Sequence, residues 1–153
     1  MSKISYSITG VERLTKKLGL VNKVQEEYMV DAVQQATFLI HATAVESIQD
    51  NSSGTPQKRY ARSGKSRWVL ASKPGEPPNT DTGRLVQSIK FDFKKGGLVG
   101  RVGTNLKYGA ALEFGTRDMA ARPWLSAAVR VASKEVADIF KKAVKKAIKE
   151  SAK

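Results

Sequence analysis

Alternating apolar and polar residues predict two regions of β-structure in this chain. Residues 3–8 alternate isoleucine and tyrosine with serine, which is the period-two pattern of a half-buried strand. The alternation over residues 89–104 is longer and is interrupted by Lys95, Gly96 and Gly97. Because two glycines readily form a tight turn, we predict a β-hairpin over this second region.

Apolar residues at steps of three and four predict two long helices. The first stripe follows Thr9 and Glu12, which have the spacing of a capping box, and runs to Ile48. It predicts one long helix, or two helices that meet near residues 19–22. The second stripe runs from Pro123 almost to the end of the chain. We expect this helix to begin at the proline. An N–H in the first turn of a helix has no partner within the helix, so its absence from proline costs nothing there.

Short elements connect these regions. Residues 82–89 predict a capped turn or short helix that leads into the hairpin, and residues 108–115 predict one or two helical turns. Gly115 can end the second of these because glycine readily takes a positive φ. The order of elements predicts an α+β fold in a single domain. In it, a small antiparallel sheet packs against a long amino-terminal helix and a carboxy-terminal helix.

Residues 51–81 separate the first helix from the rest of the fold. Prolines and glycines near both ends exclude a continuous helix. We predict a long basic loop that is mobile until a partner orders it, with a short strand at Trp68, Val69 and Leu70. Its cations are the residues that we expect to contact DNA or an acidic partner: Lys58, Arg59, Arg62, Lys65 and Arg67.

Composition adds a strong positive charge to this picture. The chain has 27 Lys and Arg residues against 14 Asp and Glu residues, a formal charge of +13. Such an excess favours polyanions or acidic protein surfaces as partners, although it also serves to keep a small protein soluble before assembly. No run of about 18 apolar residues occurs, and the amino terminus does not resemble a signal peptide, so we expect no membrane contact.

The residue types that catalysis usually requires are scarce. The chain has no cysteine and a single histidine, His41, which excludes thiolate and multi-histidine metal sites within one subunit. No nucleophile elbow, Walker A loop or zinc-protease motif is present. We expect Glu113, between two apolar residues, to lie against the core beside Arg117 or Arg122. The other scattered acids are expected to be surface or capping groups: Asp81, Asp92 and Asp118. We therefore predict no enzymatic activity and no cofactor.

Several motifs occur in an order that resembles a known family. The sequence Val-Gly-Thr-Asn-Leu-Lys-Tyr at 102–108 is followed by Glu-Phe-Gly-Thr at 113–116 and by Arg-Pro-Trp-Leu at 122–125. Upstream, a proline-rich piece at 74–78 precedes Thr-Gly-Arg-Leu at 82–85. In these motifs the chain resembles the tail-component or neck proteins of long-tailed bacteriophages, typified by the tenth gene product of a lambdoid coliphage.

The resemblance implies a structural virion protein that forms a ring at the head–tail junction, for which sixfold symmetry is one option. Its implied partners are other copies of the chain, the portal-adaptor side, tail-terminator or tail-tube proteins, and the DNA that crosses the neck. Assembly would take place in the host cytoplasm. The positions of the family motif, which we expect to hold the fold, are Gly83, Leu85, Tyr108, Glu113, Phe114, Gly115, Arg122, Pro123 and Trp124.

A different class of function stays open beside this one. The basic composition also suits a stand-alone nucleic-acid-binding module, whose affinity would fall steeply with salt. The slope of log affinity against log salt concentration would be roughly one unit for each phosphate neutralised. An enzyme is a distant third interpretation, because the chain lacks any constellation of reactive groups.

Overall fold

The structure is a computed structural model that describes residues 4–7, 23–50, 53–60 and 63–151. It has the α+β architecture that the sequence predicts. The elements in chain order are β1 (Ile4–Ser7), α1 (Lys23–Gln49), β2 (Thr55–Tyr60), β3 (Ser66–Ala71), α2 (Arg84–Ser88), β4 (Ile89–Lys94), β5 (Val99–Thr104), α3 (Lys107–Phe114) and α4 (Leu125–Ser151).

The two long helices, α1 and α4, pack against each other, and α1 also covers β4 and β5. In α1 the buried apolar residues recur at steps of three and four, as an amphipathic helix requires. They are Met29, Ala32, Val33, Ala36, Ile40, Ala44 and Ile48. The largest side chains that are completely buried include Trp124 and Leu125 at the start of α4, so this end of the helix anchors the core.

The main sheet has three antiparallel strands in the order β1-β5-β4. Its β4–β5 hairpin confirms the strongest strand prediction, with Ile89 opposite Thr104 and a turn at Lys95–Gly97. At Gly100 the sheet approaches α1 so closely that a Cβ atom would lie 1.8 Å from the hydroxyl oxygen of Thr37. The absence of a side chain at this position therefore allows helix and sheet to meet.

A second sheet consists of β2 and β3 alone, paired antiparallel. It lies within residues 51–81, where the sequence predicted a loop with one short strand. The strand at Trp68–Leu70 is confirmed as part of β3, but the loop prediction missed its partner β2. Both strands are solvent-exposed along most of their length, so no alternation of apolar residues marks β2. The predicted mobility of the segment stays a prediction.

Other boundary predictions have mixed outcomes. The short helices at 82–89 and 108–115 are confirmed as α2 and α3. Helix α4 begins at Leu125, so the prediction that Pro123 opens it is wrong by two residues. The capping box at Thr9 and Glu12 lies outside the described residues. Within the described ranges, no helix combines the length and the apolar character needed to cross a membrane.

Candidate functional site

The β2–β3 hairpin, here called the arm, presents two different faces. Residues directly opposite each other in an antiparallel pair share a face, and neighbours along a strand alternate between faces. Lys58 pairs with Trp68, and Tyr60 pairs with Ser66, so these residues lie on one face, the outer face. Arg59 pairs with Arg67 on the opposite, inner face.

The inner face is held by one carboxylate. Arg59 donates to Asp81 at 2.9 Å, and Arg67 donates to the other oxygen of the same group. Two arginines directly opposite each other would repel, so the negative charge of Asp81 offsets an electrostatic repulsion that the strand pairing creates. Both guanidinium groups are more than half exposed, which limits the stabilisation to about 0.2–1 kcal/mol for each pair. We call this arrangement the clasp.

The base of the arm is fixed by hydrogen bonds to the connecting segment. The side-chain amide of Asn79 donates to the carbonyl oxygens of Ser53 at 2.7 Å and Leu70 at 3.1 Å. Gly54 has a φ of +122°, and a Cβ atom there would lie 1.9 Å from the carbonyl oxygen of Ala71. Glycine is therefore required where the first strand of the arm begins.

The outer face carries large side chains that the described part of the chain leaves exposed. Tyr60 is 71% exposed, Trp68 is 70% exposed, and Leu70 is also exposed. The ammonium group of Lys58 lies 5.6 Å from the centre of the Tyr60 ring, in a cation–π contact. Exposed aromatic residues of this kind are typical of binding surfaces, because tyrosine and tryptophan dominate the energetics of interfaces.

The five cations predicted to contact DNA or an acidic partner are thus divided by the structure. Arg59 and Arg67 are engaged with Asp81, Lys58 lies on the outer face, and Lys65 is exposed beside the turn. Arg62 lies outside the described residues. The clasp was not predicted, because Asp81 was expected to be a surface or capping acid.

A groove of about 620 Å³ lies beside the arm. The end of α1, the segment before α2, and the helices α2 and α3 form its walls. Most of its surface is apolar, and the apolar side chains that line it include Ile48, Leu85, Val86, Tyr108, Leu112 and Met119. Arg59 and Asp81 also line it, which places the groove on the same side as the inner face of the arm.

A second polar centre lies below the groove, at the start of α4. The carboxylate of Glu113 is 4% exposed and accepts three backbone N–H groups, from Trp124, Leu125 and Ser126, each at 2.9 Å. The first turn of a helix leaves its N–H groups without partners, and a negative charge is favoured there. Glu113 therefore caps α4 from a distance of more than ten residues along the chain. We call this arrangement the Glu113 cap.

This cap corrects the prediction that Glu113 pairs with Arg117 or Arg122. Its partners are backbone groups, and the Arg122 side chain instead donates to the carbonyl oxygen of Ser72 at 3.1 Å. A sequence signal for the cap does exist. Trp124, at the position before α4, offers no side-chain acceptor for the free N–H groups, so an acceptor must come from elsewhere.

The rest of the family motif surrounds this cap. The indole N–H of Trp124 donates to the carbonyl oxygen of Gly109 at 3.2 Å. The backbone N–H of Arg122 donates to the carbonyl oxygen of Leu112 at 2.7 Å. Gly115 takes a φ of +77°, and Gly83 takes a φ of +73° before the buried Leu85. Two positions expected to hold the fold lie at the surface instead: Tyr108 is partly exposed, and Phe114 is 68% exposed.

At both centres several donors engage one carboxylate. Asp81 is engaged by two arginines, and Glu113 is engaged by three N–H groups. In the described part of the chain, no three His, Cys, Asp or Glu residues come together as metal ligands would. The arrangement is suited to holding surfaces in place, and the surfaces it holds are the arm and the groove.

The family comparison agrees with this interpretation. The model of the family described as "Bacteriophage HK97-gp10, putative tail-component" matches residues 12–115, which is more than half of the chain. The match includes the arm and most of the groove, and it ends before the Arg-Pro-Trp motif at 122–124. Neither the comparison with curated proteins nor the comparison with solved structures gave a match.

Proposed function

The chain belongs to the HK97-gp10-like family of bacteriophage tail components, and from this membership we propose that it completes the neck as a ring at the head–tail junction. The family match is the single observation that carries the proposal. A tail component is part of the virion, and we propose that this one is assembled onto it in the host cytoplasm. Its neighbours would be the portal-adaptor side above and the tail-terminator or tail-tube protein below.

Two features of the surface support an assembly role. Large apolar side chains are exposed on the arm, and an apolar groove lies open beside it. Soluble monomers seldom expose such patches without a function, because contiguous apolar surface promotes association. A ring needs one contact between two unlike patches, repeated until the circle closes.

The experiment that tests this function is assembly of the purified chain. Mass photometry and negative-stain microscopy, over a range of protein concentrations and with portal-adaptor or tail-tube complexes present, should show closed rings of defined subunit number. Deletion of the gene should give a lysate with filled heads and separate tails. Rings that never form, together with normally joined particles after deletion, would refute the proposal.

One observation favours a second candidate, a stand-alone nucleic-acid-binding module. Lys58 lies on the same exposed face as Tyr60 and Trp68, and single-strand binders combine cations with stacking aromatic residues in this way. This candidate predicts tight binding of a labelled oligonucleotide by the monomer at physiological salt, with an affinity that falls steeply as salt rises. Weak binding under these conditions would exclude it.

A further inference from the structure

We propose that the outer face of the arm of one subunit docks into the groove of the next subunit of the ring. The inference rests on the proposed ring, and it adds the two surfaces that form the repeated contact. Trp68 and Tyr60 would be the inserted side chains. The receiving wall would be formed by α2, α3 and the segment after α3, at Val86, Ala111 and Met119.

Geometry prevents the arm from filling the groove of its own subunit. Arg59 lines that groove, so the inner face of the arm is turned toward it. Tyr60 follows Arg59 directly in the strand and therefore points away from the groove. The clasp at Asp81 holds this orientation. The chain thus has a projection and a cavity that cannot meet within one molecule, which is the condition for a head-to-tail contact.

The chemistry of the two surfaces is complementary. The outer face offers two aromatic rings and Leu70, and the groove offers mostly apolar walls. A volume of about 620 Å³ lies within the range of roughly 300–1,000 Å³ in which proteins enclose small ligands, so bulky side chains can enter. Burying aromatic side chains in such a pocket is the usual basis of an interface hot spot.

Charge also favours this orientation of neighbouring subunits. The last turn of α1 borders the groove through Ile48, has no basic residue and carries the exposed acid Glu46, and the exposed acid Asp50 follows the helix directly. The carbonyl end of a helix adds negative partial charge. The incoming arm brings Lys58 and Lys65, so opposite charges meet at this edge of the groove, whereas the arginines of the lining, Arg59 and Arg84, favour entry of the aromatic rings over the lysines elsewhere.

The area involved is sufficient for an anchor within a larger contact. Two aromatic side chains bury about 150–250 Å² each, against about 800 Å² for each partner in a standard interface. The backbone of the arm and its other outer-face residues would add to this. The contact therefore accounts for the specific centre of the interface, and neighbouring surfaces of the ring complete it.

The exposed aromatic rings favour protein over DNA as their partner. Duplex DNA keeps its bases stacked inside, so an aromatic side chain gains little from contact with it. The arginines that would best contact phosphates are already engaged with Asp81. Of the arm cations that the structure describes, Lys58 and Lys65 alone make no ion pair with Asp81.

The test uses two variants of the full chain, each of which loses one of the two contact surfaces and keeps the other. The arm variant, Tyr60→Ala with Trp68→Ala, retains the groove, and the groove variant, Ala111→Trp, retains the arm. Each alone should associate about 30-fold more weakly than the original chain, or worse, and should form no rings. Mixed in equal amounts they should form a one-to-one heterodimer, because one intact arm and one intact groove remain, and growth should stop there.

Controls separate the outcomes. Gln57→Ala changes an exposed residue on the inner face and should assemble normally. Circular dichroism and thermal unfolding check folding of the variants; if Ala111→Trp does not fold, Met119→Arg replaces it at the edge of the groove.

Each remaining outcome decides the matter. Rings formed by the arm variant would refute the docking contact and leave the ring function intact, and so would the absence of heterodimers in the mixture. An arm variant that loses only oligonucleotide binding would assign the outer face to nucleic acid and also refute the contact. If the original chain forms no rings, this contact fails, and the proposed function fails with it when deletion of the gene also leaves normally joined particles.

Discussion

The Glu113 cap and the Asp81 clasp both gather several donors around one carboxylate, yet they differ in burial. Glu113 is nearly inaccessible and receives backbone N–H groups, whereas Asp81 is partly exposed and receives the guanidinium groups of two exposed arginines. Buried donors that lose their acceptor cannot turn to water, but exposed ones can. The same functional group therefore determines stability in one place and orientation in the other.

The difference also separates two tasks within the molecule. The Glu113 cap joins α3, which lines the groove, to the first turn of α4. The clasp positions the arm relative to the groove. Between them, Arg122 and Ala121 hydrogen-bond to the segment that follows β3, through Ser72 and Gly75. A rigid base thus carries a projecting arm whose angle is set by a few exposed contacts.

The largest effect is expected from Glu113→Ala. Removing the carboxylate leaves three N–H groups of α4 without their acceptor, two of them buried, and each buried loss costs about 1–3 kcal/mol. We expect the free energy of unfolding to fall by about 3 kcal/mol, measured by urea denaturation. Glu113→Gln should lose less, because one oxygen acceptor remains.

Glu135→Ala is the matched control for this prediction. It removes a carboxylate from the exposed surface of α4 and should change the free energy of unfolding by less than about 0.5 kcal/mol. Equal losses for the two variants would mean that Glu113 contributes no more than a surface acid, and the contrast between cap and clasp would disappear.

The next effect compares the two tryptophans. Trp124→Phe removes the donor to the carbonyl oxygen of Gly109 and leaves a gap in the core, at a cost of about 2 kcal/mol. Trp68→Phe changes an exposed ring and should cost less than about 0.5 kcal/mol. Urea denaturation measures both. A cost at Trp68 that matches the cost at Trp124 would show that the arm packs against the body of the subunit.

The same contrast explains what the sequence could predict about the fold. The β4–β5 hairpin and the two long helices bury one side, so apolar residues recur with the period of the element. In the arm both sides face solvent, and β2 even contains Pro56, which an edge strand tolerates. Strand pairing alone defines that element, and pairing leaves no period in the sequence.

The candidate site was predictable only in its parts. Basic residues in the arm, the burial of Trp124 and the isolated acid at Glu113 are all visible in the sequence. Their partners are not, because the clasp joins residues 14 and 22 positions apart and the cap joins residues 11 to 13 positions apart. These partners can be recognised as neighbours in space only once the register of the strands and the start of the helix are known.

A smaller effect is expected from Asp81→Ala. The clasp contributes little to global stability, so the free energy of unfolding should fall by less than about 1 kcal/mol. Arm orientation should change more, because Arg59 and Arg67 then repel each other across the hairpin. Hydrogen exchange should become faster in β2 and β3 and stay unchanged in α4. Asp118→Ala, which removes another exposed acid, should leave the arm unaffected.

The smallest effect is expected from salt. The clasp pairs are exposed, and raising the salt concentration from about 0.05 M to about 1 M shortens the screening length to roughly 3 Å. In the Trp124→Phe variant only Trp68 remains, so its fluorescence anisotropy reports the arm of the monomer directly. We expect a modest fall in anisotropy with salt as the clasp weakens. Once Asp81→Asn has removed the charge, we expect no fall or a small rise, because salt then screens the repulsion between Arg59 and Arg67. An equal fall in both proteins would place the salt effect outside the clasp. The angle of the arm would then be set by the hydrogen bonds that the Asn79 side chain donates to backbone carbonyl oxygens, which salt screens far less.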